Sequence, residues 1–135
     1  MWNEPKTNWK SGDVFECFDY NRIKNNIYYL KEQAELLCAP VVNFEDMGAD
    51  KTYTDFYYAD EFNKFENNLD RINNTVFPQD IGVKQTFYDN GAFIGSEEIS
   101  RLENACGKIK DMLDRIRQTR KRIPFRMGAY KDIRI

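Results

Sequence analysis

The sequence predicts a mainly α-helical fold: a three-helix bundle built from three degenerate loop–helix repeats, with long aromatic linkers and minor short β-strands. One observation is the segment from Asp19 to Leu30, whose pattern returns at 61–72 and at 98–109. A second is that each copy spaces its apolar residues 3-4-3, as a helix does when one face packs on a core. A third is that about twenty residues separate the predicted helices, which is long for a compact helical domain.

The three copies agree at polar as well as apolar positions. The aligned apolar sets are Tyr20, Phe62 and Ile99; Ile23, Phe65 and Leu102; Ile27, Leu69 and Cys106; and Leu30, Ile72 and Ile109. The aligned polar sets are Asn21, Asn63 and Ser100; Arg22, Lys64 and Arg101; and Asn25, Asn67 and Asn104. We therefore interpret residues 1–135 as a single domain with units near 6–38, 46–76 and 80–119, followed by a basic C-terminal extension at 120–135.

The first two helices have clear start and stop signals. The first is expected from about Asp19, a residue suited to a helix N-cap or first turn, to Leu37, because Pro40 follows. The second is expected to begin after Asp60 and to end before Pro78. The linker between them is aromatic and is expected to be extended or irregular.

The third helix is expected to be the longest. Ser96 is a good N-cap, the apolar spacing persists to about Thr119, and Pro124 is expected to end the helix. Residues 123–135 then read as extended, with a short strand at 124–127. In the linker before this helix, residues 86–94 surround an Asp-Asn-Gly turn and read as a small hairpin.

Composition argues against an enzyme. The chain has no His, which removes the commonest general base and metal ligand, and its three Cys lie far apart without a CxxC motif. The carboxylates match no calcium loop, and no glycine-rich phosphate loop is present. We expect no catalytic, cofactor or metal site. We also expect reduced thiols and synthesis in a cytosol, because the N-terminus lacks the apolar core of a signal peptide and no apolar run is long enough to span a membrane.

Asparagine is unusual in the middle of a helix, and here it recurs. Asn25, Asn26, Asn67, Asn68 and Asn104 fall at matching places in the three copies. The interpretation we favour is structural: their amides hold the linkers or the neighbouring helices. The alternative is that they contact a ligand or a sugar.

Aromatic residues crowd the linkers and the N-terminal arm. They either cover the helical core or form a recognition surface for a protein or a carbohydrate. The residues predicted to form an interface are Trp2, Trp9, Tyr53, Tyr57, Tyr58, Phe87, Tyr88, Arg117, Arg120, Lys121 and Arg122.

Charge is divided unevenly along the chain. Residues 108–135 hold ten Lys or Arg and three Asp, whereas residues 1–107 hold ten basic and nineteen acidic residues. The basic end could contact nucleic-acid phosphates. No base-reading motif accompanies it, and the acidic body disfavours a general nucleic-acid binder. We favour cations that suit a helix C-terminus and contact an acidic region of the same or a neighbouring subunit.

Four segments together resemble small uncharacterised proteins encoded near the tail and baseplate genes of phages and prophages of clostridia and related Firmicutes. They are Trp9 to Asp13, Asp19 to Leu30, Asp46 to Leu69 and Asp89 to Gly91. The resemblance implies a setting rather than a reaction: a structural or adaptor component of a virion or tail-like particle. Its expected partners are other particle proteins or a second copy of the chain; the alternatives are a cell-surface glycan and, less favoured, nucleic acid.

Overall fold

The structure, a computed structural model, describes residues 2–88 and 95–134, with side chains described as far as residue 119. Three helices pack together: α1 at Cys17–Leu37, α2 at Ala59–Val76 and α3 at Ser96–Arg134. The predicted mainly helical, three-helix architecture is confirmed. The expected minor strands are wrong for the described residues, which contain none; residues 89–94 of the hairpin predicted at 86–94, with its Asp-Asn-Gly turn, lie outside them.

The helices begin within two residues of the predicted positions. An acidic residue in the first turn of each of the first two helices accepts a hydrogen bond from the residue before the helix. The Glu16 N–H donates to Asp19 and the Tyr58 N–H donates to Glu61, at 3.0 and 2.8 Å. These bonds satisfy backbone donors that a helix start leaves unpaired. Ser96 is the first residue of α3 rather than its cap.

The three apolar stripes meet in one core. Each of the twelve aligned stripe residues is at most 3% exposed, and Ala34, Ala105 and Leu113 extend the same cluster. Burying one large apolar side chain stabilises a fold by roughly 1.5–3 kcal/mol, so these stripes provide most of the driving force for packing.

All three helices run in the same direction. Between α1 and α3, Arg22 pairs with Glu103, and further along Gln33 contacts Arg117. Between α1 and α2, the rings of Tyr20 and Phe62 near the two helix starts lie 6.1 Å apart. Parallel neighbours cannot be joined by a short turn, so each linker must return along the bundle. This geometry accounts for the long linkers.

The linker between α1 and α2 shows this return path. Its residue Asp46 contacts Tyr28, Asp50 then contacts Lys24, and the next residue reaches a still earlier turn of α1. The linker therefore runs antiparallel to α1, in the groove beside α2.

The N-terminal arm does the same in the groove between α3 and α1. Trp2 lies 5.8 Å from the ring of Tyr29, whereas Trp9 reaches Glu103, nearer the helix starts. The backbone of these returning segments is held by helix side chains, which leaves no partner strand and explains why strands do not form.

The C-terminal prediction is wrong. Pro124 does not end α3, and residues 123–134 are not extended, because the helix continues to Arg134. Proline has a helical φ and removes one helical hydrogen bond, and the surrounding Arg, Lys, Met and Ala favour helix. The basic extension is thus a helical continuation of α3, the longest of the three helices.

Candidate interaction surface

The buried asparagines hold the returning segments. Asn26 accepts a hydrogen bond from the Asn3 N–H and donates to the Asn3 carbonyl, at 2.9 and 2.8 Å. Asn68 makes the same pair of bonds with Glu45, at 2.8 and 2.9 Å. In both cases the partner lies 23 residues earlier in the chain. The two amides therefore act as clamps on the segment that precedes their helix.

A second set of clamps was missed by sequence reasoning. Asn21 exchanges two bonds with the backbone of Lys51, and Asn63 does the same with Phe87. The sequence contained a signal for these clamps, because Asn21 and Asn63 occupy the same position in the aligned repeats. Among the mid-helix asparagines predicted from the sequence, Asn104 is exposed. Asn25 donates a hydrogen bond to the linker carboxylate of Asp50, and Asn67 donates one to that of Glu45.

Three buried charged residues also occupy one aligned position, directly after a core residue, and sequence reasoning did not single them out. They are Lys24, Glu66 and Glu103, each at most 3% exposed. Glu103 accepts bonds from Trp9 Nε1 at 2.6 Å and from the guanidinium of Arg22 at 2.8 Å. This pairing raises the pKa of the Arg22 guanidinium.

The other two charges are also paired. Glu66 accepts two bonds from the guanidinium of Arg101 at 2.7 Å, and Lys24 pairs with Asp50. Every buried side-chain N or O among the described residues has a partner. These groups join helix to helix and helix to linker, so they are structural rather than a reactive cluster. No group of acidic, Cys or His side chains in the described part of the chain is arranged to hold a metal ion.

The structure divides the predicted interface aromatics into two groups. Trp9 is buried, and Trp2, Tyr57 and Phe87 are half-buried against the core. The exposed group consists of Tyr53, Tyr58 and Tyr88, which are 91%, 54% and 74% exposed. Phe56, which was not predicted at an interface, is also exposed, at 74%. The two interpretations of the aromatics therefore apply to different residues, and neighbours in the chain alternate between them.

Four exposed apolar residues lie within three residues of the start of α1 or α2, and because the helices are parallel they belong to the same end of the bundle. We call this surface, formed by Val14, Phe18, Phe56 and Tyr58, the N-terminal face; each member is at least 54% exposed. Phe15 and Tyr57, which adjoin these residues in the chain, contact each other, with their ring centres 5.4 Å apart.

Lys51 supports the loop that carries half of this face. Its ammonium pairs with Glu61 at 2.7 Å, donates to the Phe56 carbonyl at 2.8 Å and lies 5.8 Å from the centre of the Tyr58 ring. One cation thus ties the loop to the start of α2 by a salt bridge, a backbone hydrogen bond and a cation–π contact. The face is consequently presented on a supported loop.

Exposed carboxylates occur at the same end of the bundle as the N-terminal face. They belong to Asp13, Glu16, Asp55, Asp60 and Glu97, all in or just before a first helical turn. Parallel helices place their partial positive ends together, which favours acids there. The backbone N–H of Lys10 donates to Asp13 and lowers the pKa of that carboxyl. The face is therefore apolar at its centre and acidic at its edge.

Basic residues are concentrated in the C-terminal part of α3. Arg115 is exposed, and the half-buried Arg117 contacts Asp114 at 3.2 Å as well as Gln33. The predicted interface residues Arg120, Lys121 and Arg122 lie on α3, and their side chains fall outside the described part. Helix α3 thus begins with acidic residues and ends with basic residues.

Within the described residues, no helix combines the length and the apolar character needed to cross a membrane. Comparison of the chain with models of protein families, with curated proteins and with solved structures finds no match.

Proposed function

We propose that the protein is a non-enzymatic structural or adaptor component of a phage tail-like particle, and that it acts through protein–protein contact at the N-terminal face. The observation that carries the proposal is the exposure of Phe56, Tyr58, Val14 and Phe18 on one end of a bundle whose linkers are clamped in place. The particle itself is inferred from the sequence resemblance alone.

The chemistry of the face suits a protein partner. Clustered exposed aromatic and aliphatic residues with a charged edge are typical of protein interfaces, where aromatic residues contribute most of the binding energy. Burial of apolar area on contact contributes about 25 cal/mol per Å², and little of this is lost to ordering the loop because Lys51 already holds it.

The proposal includes the three-repeat origin of the fold. It is supported by the identical 23-residue spacing of the clamps at Asn26 and Asn68. It is also supported by the buried charges at aligned positions 24, 66 and 103. A repeated unit that packs around a common axis gives a rigid scaffold whose ends differ, as an adaptor between two unlike partners requires.

Incorporation into particles tests the proposal. We would express the chain with the neighbouring particle genes, purify the particles and measure the bound protein by quantitative immunoblot. The double variant Phe56→Ser/Tyr58→Ser is expected to reduce incorporation at least ~10-fold, because it removes the aromatic centre of the face. The matched control is Leu36→Ser/Val42→Ser, which removes two exposed apolar side chains elsewhere, 73% and 69% exposed.

Equal incorporation of the face variant and the control, with unchanged melting temperatures, would contradict the proposal. Absence of the wild-type chain from the particles would also contradict it.

Carbohydrate binding is the second candidate, and the exposure of Tyr53 at 91% favours it, because an exposed ring can stack on a sugar. A glycan array with the wild type and with Tyr53→Ala/Tyr58→Ala separates the two functions. Signal that disappears in the variant would favour the glycan, and no signal would exclude it.

A further inference from the structure

We propose that copies of this chain associate head to tail, with the C-terminal part of α3 of one copy seated on the N-terminal face of the next. The inference deepens the proposed function, on which it rests for the identity of the face, by naming a second copy as a partner. The inference follows from the apolar and charged residues at the two ends of the bundle.

The first step concerns the end of α3. Gln33, four residues before the end of α1, contacts Arg117, so α1 ends near the level of residue 121 of the parallel α3. Helix α3 continues to Arg134, a further thirteen residues or about 20 Å. An isolated helix of this length is only marginally stable in water. Neither α1 nor α2 is long enough to pack beside it.

The second step concerns the register of that segment. The core stripe of α3 includes Ile109 and Leu113, and continuing its 3-4 spacing through the half-buried Ile116 and through Arg120 reaches Ile123, Met127 and Tyr130. An apolar series at i, i+4 and i+7 is the pattern by which an amphipathic helix docks on an apolar surface. The segment 120–134 also carries six Lys or Arg and one Asp. It is therefore both apolar in register and basic.

The third step is complementarity. The N-terminal face is apolar at its centre and acidic at its edge, where Asp13, Glu16, Asp55 and Asp60 are exposed. An apolar and basic helix matches this surface in both respects. Opposite charges at the edge would orient the helix and speed its association, while apolar contact at the centre would supply the affinity.

The fourth step is that a copy cannot satisfy its own face. Because the helices are parallel, the face lies at the start of α3, and residue 120 lies 24 residues further along the same helix, about 36 Å away. A straight helix cannot fold back over that distance. The contact must therefore be made between copies. An interface that joins two different surfaces grows into a ring or a filament unless it is capped.

Sedimentation velocity of the full-length chain at about 100 μM tests the inference at ~20 mM and ~500 mM salt. We expect the wild type to form species larger than a monomer at low salt and to dissociate at high salt. Two variants each remove one side of the contact: the face variant Phe56→Ser/Tyr58→Ser and the tail variant Arg120→Glu/Lys121→Glu/Arg122→Glu. Each alone is expected to weaken association at least ~10-fold. Lys84→Glu, an exposed linker residue, is the matched charge control and should associate as the wild type does.

A mixture of the two variants provides the decisive observation. The tail variant retains an intact face, and the face variant retains an intact tail, so the mixture should form one-to-one pairs that grow no further. A face-to-face interface predicts instead that the tail variant associates by itself. Either that result or a wild type that stays monomeric at low salt would overturn head-to-tail association. Circular dichroism of each variant excludes loss of folding as the cause.

The two proposals fail in different ways. A monomeric wild type whose face variant still loses particle incorporation would leave the adaptor function standing with a foreign partner. Head-to-tail association without any incorporation into particles would leave self-assembly and remove the adaptor function.

Discussion

Removal of one asparagine clamp should measure how strongly the linkers are held. In Asn68→Ala, the backbone N–H and carbonyl of Glu45 lose their partners, which lie at 2.8 and 2.9 Å in the wild type. Asn68 is completely buried, and water cannot easily replace its amide. One hydrogen bond contributes about 1 kcal/mol, and a buried group left unpaired costs more. We expect the free energy of unfolding to fall by about 2–3 kcal/mol.

Urea titration monitored by circular dichroism gives this free energy directly, with an unchanged slope if the native state keeps its compactness. For a domain of this size, the loss corresponds to a melting temperature lower by about 6–10 °C. Asn26→Ala should cost a similar amount, because it removes the same pair of bonds to Asn3. The control is Asn104→Ala, an exposed asparagine on α3, which should change stability little.

The reasoning would be refuted if Asn68→Ala and Asn104→Ala were equally mild. That outcome would mean that the linker holds its position through packing alone, and that the mid-helix asparagines are remnants of a duplicated ancestor.

Three further predictions concern single sites. Glu103→Gln should lower the free energy of unfolding by about 1.5–2 kcal/mol, measured by urea titration, because the buried carboxylate that accepts from Arg22 and Trp9 becomes a neutral amide, while Arg22 keeps Asp19 at 3.0 Å; the exposed Glu97→Gln should be nearly neutral. Gly107→Ala should raise the melting temperature, since a Cβ there meets nothing within 4 Å and alanine favours helix by about 1 kcal/mol; a lower melting temperature would refute this. Burial raises the pKa of the Cys106 thiol above its ordinary 9.0. Because the pKa of this thiol is higher in the folded state than in the unfolded state, its contribution to the free energy of unfolding is complete below pH 9. That contribution is lost as the pH rises further, by up to about 1.4 kcal/mol per pH unit. Cys106→Val should reduce the slope of stability against pH above 9.

Much of the local structure could be predicted because it depends on short-range order. The apolar spacing around Ile23, Phe65 and Leu102 identified all three helices and their buried faces. Helix starts were nearly correct because an acid in the first turn is a local signal. The linkers were less predictable: Tyr57 and Tyr58 are adjacent tyrosines, yet one packs against the core and the other is exposed.

The candidate site was only partly predictable for the same reason. Trp9 was expected at an interface, but its ring nitrogen donates to Glu103, which lies 94 residues away in the chain. No pattern in the residues near Trp9 predicts such a distant contact. The predicted end of α3 at Pro124 shows the converse error, in which a local signal was given more weight than the helix-forming residues around it.

The sequence by itself determined that three helices form, which face of each is buried, and that the chain is acidic over most of its length and basic at its end. These properties follow from residue spacing and composition. Only the tertiary structure decided that the helices are parallel, that asparagine amides hold the returning linkers, and that Val14, Phe18, Phe56 and Tyr58 are exposed while Phe15 and Tyr57 beside them pack against the core. The physical reason is that helix direction and linker path depend on contacts between residues far apart in the chain, whose free energy no single segment contains.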